Sequence, residues 1–159
     1  MDEPRWLDER EMAAWRGFVA ASNLVARRLE HQLKENAGLS HTQYEILVQL
    51  SAAPDGSLRM TDLADRLVTS KSGLTYQVTQ MEKAGMVRRR SCPSDVRGVF
   101  AELTDEGWRV LRAAAPGHVA TVREVLIDLL TPEQLTVLGE GLGEVSERLR
   151  AAERGAAGR

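Results

Sequence analysis

Leu58-Arg59-Met60-Thr61-Asp62-Leu63-Ala64-Asp65-Arg66-Leu67-Val68-Thr69-Ser70-Lys71-Ser72-Gly73-Leu74-Thr75-Tyr76-Gln77-Val78-Thr79-Gln80-Met81-Glu82-Lys83-Ala84-Gly85 is the stretch on which the fold turns. Leu58-Arg59-Met60 is too short to be more than a small edge strand. Thr61 is placed to cap a short helix over 62–67, with Asp62 and Asp65 near its positive end. Thr69 or Ser70 then caps a second helix that runs to Ala84, and Gly85 stands where a left-handed C-terminal residue is wanted. Two short helices joined by a tight turn form the arrangement in which the second helix can lie in a DNA major groove.

The face of that second helix follows from a rotation of about 100° per residue. Turning Leu74, Val78 and Met81 inward points Ser72, Tyr76, Thr79 and Lys83 outward, with Thr75 and Gln80 flanking them. All are hydrogen-bonding types and none is acidic. Glutamine can read adenine bidentately, and serine, threonine or tyrosine can reach base edges or phosphates. Thr69, Ser70 and Lys71 sit at the helix N-terminus, where free backbone N–H groups favour a phosphate.

Toward the C-terminus, 87–92 reads as a strand and 98–103 as its partner, joined by the turn-rich loop Pro93-Ser94-Asp95-Val96-Arg97-Gly98. An arginine at the tip of such a ribbon can enter a narrow minor groove, and Asp95 is close enough to orient Arg97. Arg88, Arg89 and Arg90 alternate along the strand, so they cannot share one face; some are expected to meet phosphate and others only to solvate the sheet. Between Ser57 and Phe100 there are eight bases and four acids, although the 159-residue chain carries a net charge of −2. A basic middle with acidic ends is the asymmetry expected when one surface meets phosphates.

The flanks are helical. Trp15, Phe18, Val19, Ser22, Val25, Ala26, Leu29 and Leu33 recur at three- and four-residue steps, which predicts a helix from Leu7 to about Glu35, stopped by Gly38. Ser40 with Gln43 has capping-box spacing and starts a helix over 41–51, followed by a turn at Ala53-Pro54-Asp55-Gly56. Thr104 is expected to cap a long helix from Asp105 to about Leu130, bent near Pro116-Gly117. Thr131-Pro132-Glu133-Gln134 restarts a last helix, fraying from Gly155. Leu126, Ile127, Leu129, Leu130, Leu135, Leu138 and Leu142 exceed what the small middle module can cover, so they are expected to pack against a second copy. A twofold dimer would set two recognition helices about one DNA turn, ~34 Å, apart on an inverted repeat.

Composition closes off other classes. At 43% hydrophobic and 28% charged the chain suits a globular protein. No apolar run approaches the ~20 residues that span a bilayer, and the N-terminus lacks a secretory pattern. The single cysteine, Cys92, can form neither an internal disulfide nor a zinc finger. A cytoplasmic location is expected. No nucleophile–base pair or glycine-rich phosphate loop points to an enzyme. The competing reading is a winged-helix protein-interaction module without DNA binding.

Leu58-Arg59-Met60-Thr61-Asp62-Leu63-Ala64, Lys71-Ser72-Gly73-Leu74-Thr75, Met81-Glu82-Lys83-Ala84-Gly85-Met86-Val87, Asp95-x-Arg97-Gly98 and Leu103-Thr104-Asp105-Glu106-Gly107 together resemble the MarR family of winged-helix repressors. The resemblance extends over nearly the whole chain. It implies a mainly α fold with a small antiparallel β-wing, a winged helix-turn-helix flanked by dimerisation helices. The corresponding division is 1–39 for an N-terminal dimerisation helix, 40–104 for the DNA-binding region and 105–159 for C-terminal dimerisation helices, in one intertwined domain. It also implies a homodimer on a pseudo-palindromic operator, released by a small-molecule ligand. By resemblance Arg97 is the wing-tip arginine and Asp95 its orienting acid; from the strand reading above, Arg88 and Arg90 are the further wing residues expected on DNA. Val96 departs from the pattern, in a place where similar wings often carry a second basic residue. Gly73 lies inside the recognition helix, at a cost of ~1 kcal/mol relative to alanine.

For an unidentified effector, Trp15, His41, Tyr44 and Trp108 are the candidate pocket residues, although ordinary core or interface roles would serve them as well. No cofactor is expected. His41 and Glu45, four apart on a helix, could share a metal, but no third ligand is evident; His31 and His118 read as surface residues, so no metal site is expected. Cys92 beside Arg90 could sense oxidants, but it lies at a strand end, not near the N-terminus as in redox-sensing relatives.

Overall fold

Asp8 accepts the backbone N–H of Glu11 while the Glu11 carboxylate takes the N–H of Asp8, and this reciprocal cap starts the first helix, α1 (Glu9–Ala37), two residues later than the apolar pattern suggests. Gly38 ends it in the left-handed conformation, φ 66°. Ser40 and Gln43 form the expected capping box, and α2 (His41–Ser51) follows. The computed structural model describes residues 3–92 and 95–157, with backbone alone for Cys92, 95–97, 156 and 157. The chain divides into two units, Met1–Thr121 and Val122–Arg159.

In the first unit a 3-10 turn at Pro54–Gly56 leads to β1 (Ser57–Arg59), α3 (Met60–Leu67), α4 (Lys71–Lys83), β2 (Val87–Cys92) and β3 (Asp95–Leu103), and α5 (Asp105–Val125) begins there, its last four residues falling in the second unit. The strands form an antiparallel sheet in the order β1-β3-β2, so β1 is the edge strand expected. Leu58 lies opposite Ala101 and Val87 opposite Leu103, and these four buried residues give the sheet its inner face. The outer face carries one row of Arg59, Phe100 and Arg90 and a second of Ser57, Glu102 and Arg88.

The core sits where α2, α3 and α4 meet that inner face. Ile46, Leu47, Leu50, Leu63, Val78 and Met81 are fully buried in it. Each such side chain is worth ~1.5–3 kcal/mol relative to exposure. On α1 only Leu29, Gln32 and Leu33 are buried; Trp15 and Phe18, from the same apolar repeat, are exposed.

Three more boundaries differ from the sequence reading. Helix α3 begins at Met60, with Arg59 at its N-cap and no side-chain cap, so Thr61 is not its capping residue. The second ribbon strand begins at Asp95 and not Gly98, because pairing continues past a register shift next to Cys92. Pro93 and Ser94 lie outside the described residues. Helix α5 ends at Val125, and a 3-10 turn over Ile127–Leu129 replaces its expected last turn. Pro116 lies inside α5, where it removes one backbone donor.

In the second unit Thr131 and Gln134 exchange the expected capping bonds, and α6 (Pro132–Ala157) runs two residues beyond Gly155. Every described side chain on α6 is exposed or half-buried. Val137, Leu142, Val145 and Leu149 are among its exposed apolar residues. No helix among the described residues is long and apolar enough to cross a membrane.

Candidate nucleic-acid interface

The turn between α3 and α4 is set by Val68, which adopts φ 52°, ψ 47° and donates its N–H to Asp65 while Thr69 donates to Ala64. A β-branched residue is disfavoured there, so this tight reversal holds local strain. Ser70, rather than Thr69, is the N-cap of α4, accepting the Gly73 N–H at 3.1 Å. A β-carbon on residue 73 would lie 3.0 Å from that same hydroxyl. Glycine here therefore leaves room for the cap at the helix end.

Leu74, Val78 and Met81 are buried, as the periodicity predicts. Lys71, Ser72, Thr75, Tyr76 and Lys83 are exposed, and Thr69, Thr79 and Gln80 are half-buried. Tyr76 is 62% exposed, a large ring with no core role. Thr75 and Thr79 donate their hydroxyl protons to the carbonyls of Lys71 and Thr75, which leaves each oxygen able to accept.

The wing strand is fastened to this helix. Glu82 accepts the Arg89 backbone N–H at 2.9 Å and its Nε and Nη2 at 3.0 and 2.8 Å, and Arg89 Nη2 also reaches Thr79 Oγ1 at 3.2 Å. The backbone bond from Arg89, followed by its guanidinium, holds the Glu82 carboxyl below its ordinary value. Arg89 thus neither solvates the sheet nor stands ready for phosphate; it joins α4 to β2. Its neighbours point the other way. Arg88 donates to Glu102 at 2.9 Å, and Arg90 lies 3.4 Å from the same carboxylate. Arg88 foremost keeps Glu102 ionised below the usual range. Both arginines remain more than half exposed. In the adjoining row the Arg59 guanidinium lies 5.5 Å from the Phe100 ring centroid. The side chains of Asp95 and Arg97, the expected wing tip, and of Cys92 lie outside the described residues.

The base of the wing is locked by the Leu103-Thr104-Asp105-Glu106-Gly107 segment. Thr104 caps α5 by accepting the Gly107 N–H, donates its hydroxyl to Gly85 O at 2.5 Å and its backbone N–H to Met86 O at 3.2 Å. Gly85, with φ 75°, makes the left-handed turn that presents these carbonyls.

The four candidate pocket residues lie on α1 (Trp15), α2 (His41, Tyr44) and the first turns of the helix after the wing (Trp108). Trp15 packs on Phe18 along exposed α1, and Trp108 lies against Gly56 and beneath Arg112. Cavities of about 480 and 410 Å³ are lined by Leu24, Arg27, Arg28 and His31 and by α6 residues, and include none of the four. His41 and Tyr44 do come together, around a residue the sequence reading placed on the surface. His118 is 8% exposed, its ring 4.2 Å from that of Tyr44 and 6.0 Å from that of His41. The missed signal is visible in retrospect: Gly107, Leu111, Ala114, His118 and Thr121 alternate four- and three-residue steps and are all buried. Burial and then the neighbouring His41 lower the His118 pKa.

The sequence profile of the MarR family matches residues 39–99, from the start of α2 into the wing. Sco3205 of Streptomyces coelicolor, a MarR family transcriptional regulator solved in complex with DNA, is 48% identical, with a TM-score of 0.89 over 94% of this chain and 93% of that one. AbsC of the same organism, another regulator of the family, is 46% identical, with a TM-score of 0.88 over 93% of this chain and 99% of its own. The transcriptional repressor YetL of Bacillus subtilis is 30% identical over 128 residues, 79% of this chain and 76% of YetL. With the two helices, the tight turn and the two-stranded wing all in place, the chain belongs to the MarR family of transcriptional regulators.

Proposed function

We propose that this protein is a repressor that binds a pseudo-palindromic DNA operator as a homodimer in the cytoplasm and leaves it on binding a small molecule. The observation that carries the DNA reading is the division of α4: Leu74, Val78 and Met81 are buried while Lys71, Ser72, Thr75 and Tyr76 are exposed, on a helix fastened to the wing through Glu82 and Arg89. In this reading Ser72, Thr75, Tyr76, Thr79 and Gln80 face the bases. Thr69, Ser70 and Lys71 hold phosphate at the helix N-terminus, and Arg88, Arg90 and Arg97, oriented by Asp95, serve the wing. The DNA complex of Sco3205 supports DNA binding as the reading.

Dimerisation is supported by the apolar side chains left uncovered on α1 and α6, such as Phe18, Leu24, Leu142 and Val145. The helical segments 1–39 and 105–159 would then pair around the DNA-binding region 40–104. YetL, a repressor, supports the sign of the regulation. Tyr44 and His41 are the members of the expected effector site that lie near each other, both beside His118.

The test is footprinting of the purified protein on DNA upstream of its own gene, with affinity measured across a salt series. The expected result is a protected inverted repeat with half-sites about one turn apart and a steep fall of affinity with salt. Absence of protection, or salt-insensitive association, would favour a protein-interaction module instead.

A further inference from the structure

The first turns of α2 and the middle of α5 bring three metal-ligating side chains to one place. His41 and Glu45 are four apart on α2, with Nε2 and Oε1 separated by 3.7 Å. His118 comes from α5, and one ligand atom from each of the three lies within 4.8 Å of the others. We propose that His41, Glu45 and His118 form a binding site for a divalent transition-metal ion of the zinc class.

Distance supports the fit. Ligand atoms around a tetrahedral zinc ion, at about 2.0–2.1 Å from the metal, are about 3.4 Å apart. The His41–Glu45 pair is already close to that value, and small side-chain rotations close the rest. Two imidazoles and a carboxylate suit a borderline ion such as Zn²⁺ or Co²⁺, whereas Mg²⁺ and Ca²⁺ prefer all-oxygen sets. Three protein ligands leave a fourth position for water or an exogenous group.

A second observation is independent of the spacing. His118 Nδ1 is buried with no hydrogen-bond partner among the described residues. A buried ring nitrogen without a partner is costly, and coordination to an ion would satisfy it. The surroundings also hold the ligands in place. The His41 backbone N–H donates to Glu30 at 2.7 Å, which ties the first turn of α2 to α1, and the Tyr44 ring packs against His118. The proposal concerns ion binding by the chain itself and does not depend on the DNA reading.

The experiment titrates the chelator-treated full-length protein with Co²⁺, followed by visible absorption, then displaces it with Zn²⁺. The expected result is the ligand-field band of tetrahedral Co²⁺, saturating at a single ion per chain and erased by Zn²⁺, together with a Zn²⁺-dependent rise in Tm. Glu45→Gln and His41→Ala, at half-exposed positions that the core does not need, should each weaken Co²⁺ binding at least roughly tenfold. His118→Ala should abolish it, with circular dichroism checking that the variant folds. Three results would overturn the site: no saturable binding, wild-type affinity in both α2 variants, or loss of the ion in His31→Ala, which removes the separate His31–Glu35 pair on α1.

Discussion

The backbone carbonyl of Met86 occupies the space that a β-carbon on Gly107 would need. The wing enters through Met86 and leaves through Thr104, and the two ends are pressed together at the first turn of α5, where Thr104 bonds both Gly85 and Met86. Gly107→Ala should therefore destabilise the protein by ~1–3 kcal/mol through overpacking against backbone that cannot rotate away. Urea denaturation gives the value; a change within error would mean that the wing base is looser than this geometry implies.

Val68 predicts the opposite sign. Its left-handed conformation is one that asparagine tolerates and a β-branched side chain does not. The side chain is 61% exposed, so its removal costs little burial. Val68→Asn should raise stability by ~1 kcal/mol, seen as a higher urea midpoint with unchanged m-value. A lower midpoint would show that the valine methyl groups support the turn.

Acid should loosen the joint between α4 and the wing. The bonds from Arg89 keep the folded Glu82 carboxyl below its unfolded value, so the folded state binds fewer protons. That contribution is complete above the ordinary carboxylate pKa and is lost as pH falls through the lower folded value. Glu30, held by the His41 N–H, and Glu102, held by Arg88, act in the same direction. Wild-type stability should decline below about pH 4.5, and Glu82→Gln should be less stable at neutral pH with a shallower acid decline. Equal slopes in the two proteins would exclude Glu82 as a contributor.

On DNA, residues of different role should fail differently. Lys71→Ala and Arg97→Ala should weaken binding across sequences and reduce the salt slope by about one unit each. Tyr76→Ala and Gln80→Ala should change base preference at one or two operator positions, by ~1–3 kcal/mol per base pair. Gel shifts on a randomised operator set separate the two patterns, and unchanged binding in all four would remove the proposed contact face.

Leu142 and Val145 are exposed on α6. If they meet a second copy, Leu142→Asp with Val145→Asp should shift sedimentation from dimer to monomer. A wild-type protein that sediments as a monomer at micromolar concentration would remove the twofold reading altogether.

Much of this architecture is legible in the residues because local chemistry decides it. Leu74, Val78 and Met81 lie on one side of any helix through them, and Ser40 with Gln43 or Thr131 with Gln134 can satisfy the first turn without help from elsewhere. What escaped was decided by tertiary contact. The start of α3 moved forward to Met60 because β1 delivers Arg59 in extended conformation, which serves as a cap without any side-chain acceptor. Arg89 looked like one more basic residue in a run, since nothing local ties it to Glu82. Taken alone, His118 reads as a surface residue, yet the heptad-like spacing of Gly107, Leu111, Ala114 and Thr121 sets it on the packed side of α5.

The Glu82–Arg89 clamp has a consequence for how such a protomer could measure DNA. The same carboxylate grips both the main chain and the side chain of the strand, so in the proposed DNA complex the helix and the root of its ribbon would act as a single rigid head. A rigid head of this kind cannot stretch to meet a half-site displaced by one base pair. In the proposed homodimer, tolerance for altered operator spacing would then come from hinging between protomers, and a mutation that unfastens the clamp should blur spacing discrimination before it abolishes affinity.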